Sequence, residues 1–401
     1  MDSLPEALAQ VDWDGLDHAY GRASDAPGQV LALVGDDPRA QSDAVGYLDA
    51  AMLHQGSVYS ATGPFVRFVA RALADPATDT IVDDVLPWDA EPRPLRAALL
   101  EYLALFAEAC GLEVGDDELL RDAHPAGRDE ADLRRIRAAA RACEWRLDPD
   151  PATRTPPPAA LLEAIDDTEF RKAMVARDLL ACRTAVPDVF AAALPLITAS
   201  EPAVRIAAMT AAARCVGHVD LADAKAPLVE LIAGAAVVSS EPRERATVAC
   251  LLAMLGEAPG RLLDDPHPGV RACAALAPGL ADDPRATGAL VAALEDPHEA
   301  DHWFDRHLPG QDGWLHFDLA RALAERATDL ESVLPAAIGL CTLSFTLDYG
   351  NDLAPFVALA FPEPLTERTR LRPAQRRFLS ALLDHRHLPF DEDLCRRLLD
   401  G

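Results

Sequence analysis

An all-α chain wound into a right-handed superhelix of stacked helix pairs is the fold that this sequence predicts, and three observations predict it. Apolar residues recur at helical spacing through most of the 401 residues. Acid–proline pairs punctuate those stretches at intervals close to the length of one helix pair. Strand signals are nearly absent, with few β-branched runs and no Asn-Gly turn.

The stretch from Asp265 to Pro297, DPHPGVRACAALAPGLADDPRATGALVAALEDP, shows the unit most clearly. Asp265-Pro266 reads as a helix start: the carboxylate accepts from an orphan backbone N–H, and proline needs no donor in a first turn. Val270, Cys273, Ala274 and Ala277 then fall on one helical stripe. Pro278-Gly279 stops that helix, and Asp283-Pro284 starts another with Leu290, Val291 and Leu294 on its apolar side. The inner face is mostly alanine and cysteine, so two helices approach closely. One such pair cannot bury both of its faces and needs neighbours, which makes a solenoid.

At Asp265-Pro266 and Val270-Arg271 the residues resemble the HEAT repeat, whose first helix opens Asp-Pro, then Val-Arg, then small residues. Glu201-Pro202 followed by Val204-Arg205 repeats the pattern, and Phe170-Arg171 and Glu241-Pro242 to Arg245 are weaker copies. Arg171, Arg205 and Arg271 stand 34 and 66 positions apart, the second about two periods of the first. The resemblance implies a HEAT/ARM-type solenoid in which the Asp and Arg residues pair as scaffold. WDGLDHAYGRASDAPG, HQGSVYSAT and LRPAQRRFLSALLD are similar to segments of uncharacterised HEAT-repeat proteins of actinobacteria.

Along the chain, residues 1–147 read as an N-terminal helical region with degenerate HEAT-like pairs. Trp13 and Tyr20 are expected to cap the end of its core. Asp37-Pro38 starts a helix to about His54, Pro64–Leu73 is its partner, and Arg93–Cys110 and Asp129–Trp145 are further helices. Residues 148–158 are too rich in proline for a helix and form a linker or long loop. Residues 159–401 read as the HEAT-repeat solenoid, closed by capping helices at Pro373–Asp384 and Glu392–Leu399.

Composition narrows function. The net charge is −28, which opposes binding to phosphate backbones and to anionic membranes and attracts a basic partner. Nearly all positive charge is arginine, lysine occurring only at Lys172 and Lys225. The eight cysteines form no CxxC, and Cys182, Cys215 and Cys250 are spaced near the repeat length, as buried free thiols in a reducing compartment would be. The acidic start, MDSLPEALAQVDWDG, has no signal-peptide pattern, and no uncharged apolar run of membrane-spanning length occurs, so a cytoplasmic location is expected.

Candidates for chemistry are few. His298-Glu299-Ala300-Asp301-His302 matches H-E-x-x-H, which on a helix sets two imidazoles on one face for zinc. Pro297 places it in a helix's first turn, and the sequence after it, with His307 and His316, departs from the metzincin continuation. His-Glu occurs once, too few for the di-iron centre of deoxyhypusine hydroxylase, a HEAT-like enzyme. His18, Tyr20, His54, Gln55, Ser57 and Tyr59 are candidates for a polar partner-binding patch. No GxSxG, GxGxxG or P-loop motif is present.

The leading expectation is a non-catalytic protein-binding scaffold without cofactors, its groove holding a basic protein partner; an immunity-type inhibitor of a cationic toxin is one version. The alternatives are a metal-dependent enzyme built on His298, Glu299 and His302, and a nucleic-acid binder using Arg134, Arg135, Arg137 and Arg141.

Overall fold

The computed structural model describes residues 3–82, 92–126, 129–131, 133, 134, 137, 167–311, 313–343, 353–385 and 390–400. The described chain is mostly helical, with two short two-stranded ribbons. It forms two compact units, Met1–Leu228 and Val229–Gly401. The proline-rich stretch 148–158 and most of the helix expected at 129–145 lie outside the described residues.

In the first unit α1 (Leu4–Leu8) opens on a capping box between Ser3 and Glu6. A 3-10 turn at Trp13–Gly15 leads into a ribbon, β1 (Asp17–His18) with β2 (Gly21–Arg22). Helices α2 (Ala26–Leu33) and α3 (Pro38–Tyr47) follow. The Asp37 carboxylate caps α3 by accepting the Arg39 N–H at 3.0 Å. The predicted helix does continue toward His54, but as a π-helical turn over Leu48–Met52. Ala44, Leu48 and Met52 are fully buried, as their spacing requires. Then come α4 (Thr62–Ala72), the ribbon of β3 (Ile81–Val82) and β4 (Arg93–Pro94), α5 (Leu95–Ala109) and α6 (Asp116–Ala123). Neither ribbon has more than two residues a side, too short to leave an alternating pattern in sequence.

The unit continues with α7 (Thr168–Arg183), α8 (Val186–Ala193), α9 (Pro202–Cys215) and α10 (Lys225–Val238), within which its boundary falls. Small residues let its helices meet backbone to backbone: a Cβ on Gly63 of α4 would lie 3.2 Å from the Cys182 Cα of α7. Arg183, 5% exposed, ends α7 inside the core. Its guanidinium donates to the Cys110 and Gly111 carbonyls and pairs with Asp116, so a charge otherwise costly to bury is satisfied on every side. Among the described residues one run, Thr168–Thr198, is long and apolar enough to cross a membrane. It is broken at Thr184-Ala185 between α7 and α8, and it contains the buried Arg183.

The second unit holds α11 (Pro242–Met254), α12 (Pro268–Ala275), α13 (Pro284–Leu294) and the single turn α14 (Pro297–Ala300). After it come α15 (Leu315–Arg326), α16 (Leu330–Leu340), α17 (Ala354–Ala360), α18 (Pro373–Asp384) and α19 (Glu392–Asp400). Val270, Cys273, Ala274 and Ala277 are all fully buried, and so are Leu290 and Leu294, while Val291 is half-buried. A Cβ on Gly339 of α16 would sit 2.0 Å from the Leu294 carbonyl oxygen, so only glycine lets α16 cross the end of α13.

Three helix starts share one device. Arg205 donates to the Ala199 and Ser200 carbonyls at 2.9 and 2.8 Å. Arg271 donates to the Asp265 and Pro266 carbonyls at 2.8 and 3.0 Å, the same six- and five-residue reach backward. Arg245 reaches the Ser239 carbonyl, also six residues back, at 3.3 Å. Each arginine stands three residues after a first-turn proline, Pro202, Pro242 or Pro268. This register corrects the predicted start of the 265 unit. The helix begins at Pro268, where the His267 ring accepts the Gly269 N–H at 3.2 Å, and Asp265-Pro266 forms the approach to it. Asp265 instead accepts both Nε and Nη2 of Arg245, at 2.7 and 3.0 Å, and the His267 N–H at 2.9 Å. Val204, like Val270, is buried beside its arginine. Arg171 reaches the Thr168 hydroxyl, at 3.5 Å, and positions 165 and 166, where a matching clamp would close, lie outside the described residues.

Candidate functional site

The candidates near the N-terminus converge. Gly21, at φ +123°, closes the β1–β2 ribbon and turns Ala19 and Tyr20 outward. The ribbon is then fastened to the 50–61 segment. The Ala19 N–H donates to the Ala51 carbonyl and the Ala61 N–H to the Asp17 carbonyl, each at 3.0 Å. Arg137 bridges both sides, donating to Asp17 Oδ2 at 3.0 Å and to Ser60 Oγ at 2.8 Å. These bonds bring His18 and Tyr20 beside His54 and Tyr59.

Within the cluster the protons can be placed. His18 Nδ1 accepts the Tyr20 N–H at 3.0 Å, so its proton is on Nε2, 3.2 Å from Asp25 Oδ1. The same Asp25 oxygen accepts the Tyr47 hydroxyl at 3.0 Å. His54 Nδ1 lies 3.1 Å from the Ala50 carbonyl, an acceptor only, so Nδ1 carries the proton there. Tyr20 Oη is 3.3 Å from that same nitrogen. Burial pushes the Tyr47 phenol above its usual value, and the Asp25 charge adds to the effect. Burial also raises Tyr59, with Tyr20 the next cause. The Tyr47 and Tyr59 phenols are therefore neutral at physiological pH.

The rings meet at steep angles. Tyr20 and His54 have centroids 5.5 Å apart at 63°, and His18 and Tyr47 5.8 Å apart at 85°. Tyr20 is 48% exposed. It does not cap the core as expected, because the ribbon turn projects it into solvent. Trp13 does cap it, donating to the Leu8 carbonyl at 3.0 Å and packing on Phe65 and Phe68. Gln55, beside His54, has φ 52° and is exposed; among the described residues no other non-glycine has positive φ. A π-helical turn and a left-handed residue within eight positions mark local strain held by the surrounding fold. Asp25 and Tyr47 left no sequence signal, since Asp25 reads as the approach to a helix and Tyr47 as part of the next one, and the two meet across 22 positions. Both ring nitrogens of His18 are engaged, so it is not poised to take a substrate's proton.

The H-E-x-x-H segment does not assemble a metal site. Its helix ends at Ala300, before the second histidine. His298 Nε2 is 3.3 Å from the Thr342 carbonyl, and His302 Nδ1 is 2.6 Å from the His298 carbonyl. Glu299 accepts the Trp303 indole N–H at 3.5 Å. His316 is buried and bonded through Nδ1 to Asp301, at 2.6 Å. Among the described residues, no group of three or more His, Cys, Asp or Glu is arranged to hold a metal ion. Instead Trp303 and Phe304 fold over the start of α12, meeting His267 edge-on and tilted with centroids 6.5 and 5.5 Å away. Gly269 makes room for them, since a Cβ there would lie 2.7 Å from Phe304.

Of the arginines considered for nucleic acid, Arg137 is engaged by Asp17, and Arg134 lies 3.9 Å from Glu130. Arg135 and Arg141 lie outside the described residues. Comparison with models of protein families, with curated proteins and with solved structures found no match for this chain.

Proposed function

We propose that this chain is a HEAT-type α-solenoid, a right-handed superhelix, that acts in the cytoplasm as a non-catalytic scaffold and binds a basic protein. The repeated arginine clamp supports the architecture, because the same side chain makes the same carbonyl contacts at three proline-started helices. One observation carries the functional reading: arginine works inward. Arg96, Arg177, Arg183, Arg205, Arg245 and Arg271 all turn their guanidinium groups onto backbone carbonyls. Only 37 basic residues stand against 65 acidic ones, so the groups left to meet a partner are carboxylates in excess. Such a surface steers a cationic protein toward it and repels nucleic acid.

The test is affinity capture from the cells that make the protein, at low and at high salt, with the captured proteins identified by mass spectrometry. A reproducible partner of high isoelectric point, lost at high salt and then shown to bind the purified chain directly, supports the reading. Partners that are acidic, or whose binding ignores salt, refute it.

A further inference from the structure

We infer that the cluster of Tyr20, His18 and His54, with Asp25 at its edge, is the seat of an arginine side chain presented by the basic partner. The inference rests on the reading of a basic protein partner and adds where, and by what chemistry, the chain holds it. Asp25 directs Oδ1 to His18 and Tyr47, while its Oδ2 makes no hydrogen bond among the described residues and its side chain is half exposed. A half-exposed carboxylate thus stands at the edge of an aromatic cluster. Tyr20 stands open to solvent beside it, with a ring that meets those of His18 and His54 at 68° and 63°. Near-perpendicular aromatic walls with an anion at the edge suit a cation that stacks on one face and donates at its rim. Guanidinium fits this better than ammonium, being planar, weakly hydrated and able to stack and donate at once. The strained Gln55 turn and the Arg137 bridge hold these walls in place before any ligand arrives, which lowers the ordering cost of binding.

The experiment measures fluorescence anisotropy of labelled nona-arginine, nona-lysine and nona-serine peptides with the full-length chain, at a salt concentration of about 0.15 M. The variants are Tyr20→Ala, Tyr20→Phe, Asp25→Asn and, as a control for charge alone, Asp223→Asn at an exposed position away from the cluster. The expected order for the unmodified chain is arginine over lysine, with no serine binding. Tyr20→Ala weakens arginine binding by about fivefold, the scale of a lost cation–aromatic contact, while Tyr20→Phe keeps it within about twofold. Asp25→Asn weakens it well beyond Asp223→Asn. Circular dichroism checks each fold; if Asp25→Asn does not fold, the Tyr20 pair alone decides. Arginine binding that Tyr20→Ala leaves unchanged, or that Asp25→Asn and Asp223→Asn reduce equally, overturns the seat and leaves the basic-partner reading standing. No binding of either cationic peptide, even at low salt, overturns both.

Discussion

Replacing Asp265 by Asn tests whether the arginine–carboxylate joint between α11 and α12 holds the second unit together. The carboxylate takes two charge-assisted bonds from Arg245, at 2.7 and 3.0 Å, and one from the His267 N–H, at 2.9 Å. The Arg245 and Asp265 side chains retain only 12% and 6% of their exposure. Asparagine has one acceptor where the carboxylate offers two, and it leaves the buried guanidinium without a counter-charge. Removing one partner of such a pair costs about 3–5 kcal/mol. Arg245→Met together with Asp265→Asn removes the orphaned charge, so the double variant is expected to recover about 2 kcal/mol or more of the summed losses. Urea unfolding followed by Trp303 and Trp314, which lie in the same unit, gives the free energies. Hydrogen exchange over residues 242–275 gives the local answer even if the two units unfold separately. A loss below about 1 kcal/mol for Asp265→Asn, or additivity within about 0.5 kcal/mol, refutes the argument. The pH dependence follows from the same bonds. Burial alone pushes the Asp265 carboxyl up, but the bonds from Arg245 and the His267 N–H outweigh it and hold it below the usual range. A lowered folded-state value stabilises fully above the ordinary carboxylate range and is lost as pH falls through it. The part of the difference between the unmodified chain and Asp265→Asn that comes from the carboxylate is therefore full above about pH 5 and lost below about pH 4.

Gly339→Ala forces a methyl group against the Leu294 carbonyl and is expected to cost upward of about 3 kcal/mol, read as a lower urea midpoint; a neutral result contradicts the close crossing of α16 and α13. Gln55→Gly, by contrast, relieves a left-handed residue and is expected to raise stability by about 0.5–1 kcal/mol, read as a higher urea midpoint; a lower midpoint contradicts the strain. Elemental analysis of dialysed protein is expected to find less than about a tenth of a zinc or iron per chain, and His302→Ala to leave the fold intact. Burial pushes the Cys110, Cys215 and Cys341 thiols up to about 12, so a thiol reagent at pH 8 is expected to label them only when urea unfolds the chain; rapid native labelling counts against their burial.

What could be read from the sequence was what depends on near neighbours. The stripe of Val270, Cys273, Ala274 and Ala277 is written in residues one turn apart, and all four are buried. Pro373–Asp384 starts and stops where its proline and its apolar run say it should. What was hidden depends on partners far along the chain. The Arg137–Asp17 bridge spans 120 positions and Tyr47–Asp25 spans 22, and neither leaves a periodic trace. The two-residue error at Asp265-Pro266 has a local cause: DPHP offers two adjacent proline starts, and the choice between them is made by Arg245, twenty residues upstream. The first-turn position that Pro297 gives the H-E-x-x-H match was legible in sequence, and the helix there ends after Ala300.

The clamps at Arg205 and Arg271 close on carbonyls no more than six residues upstream of themselves. A gene segment copied or deleted with breakpoints more than six residues before such an arginine carries the cation together with its acceptors. At these two helix starts the chain can therefore grow or shrink by whole helices without breaking the clamp. Arg245 sets the exception, since its carboxylate lies in the next helix start. Breakpoints between 245 and 265 separate the two and leave each without its counterpart, which makes that interval the least permissive place in the second unit for a change of length.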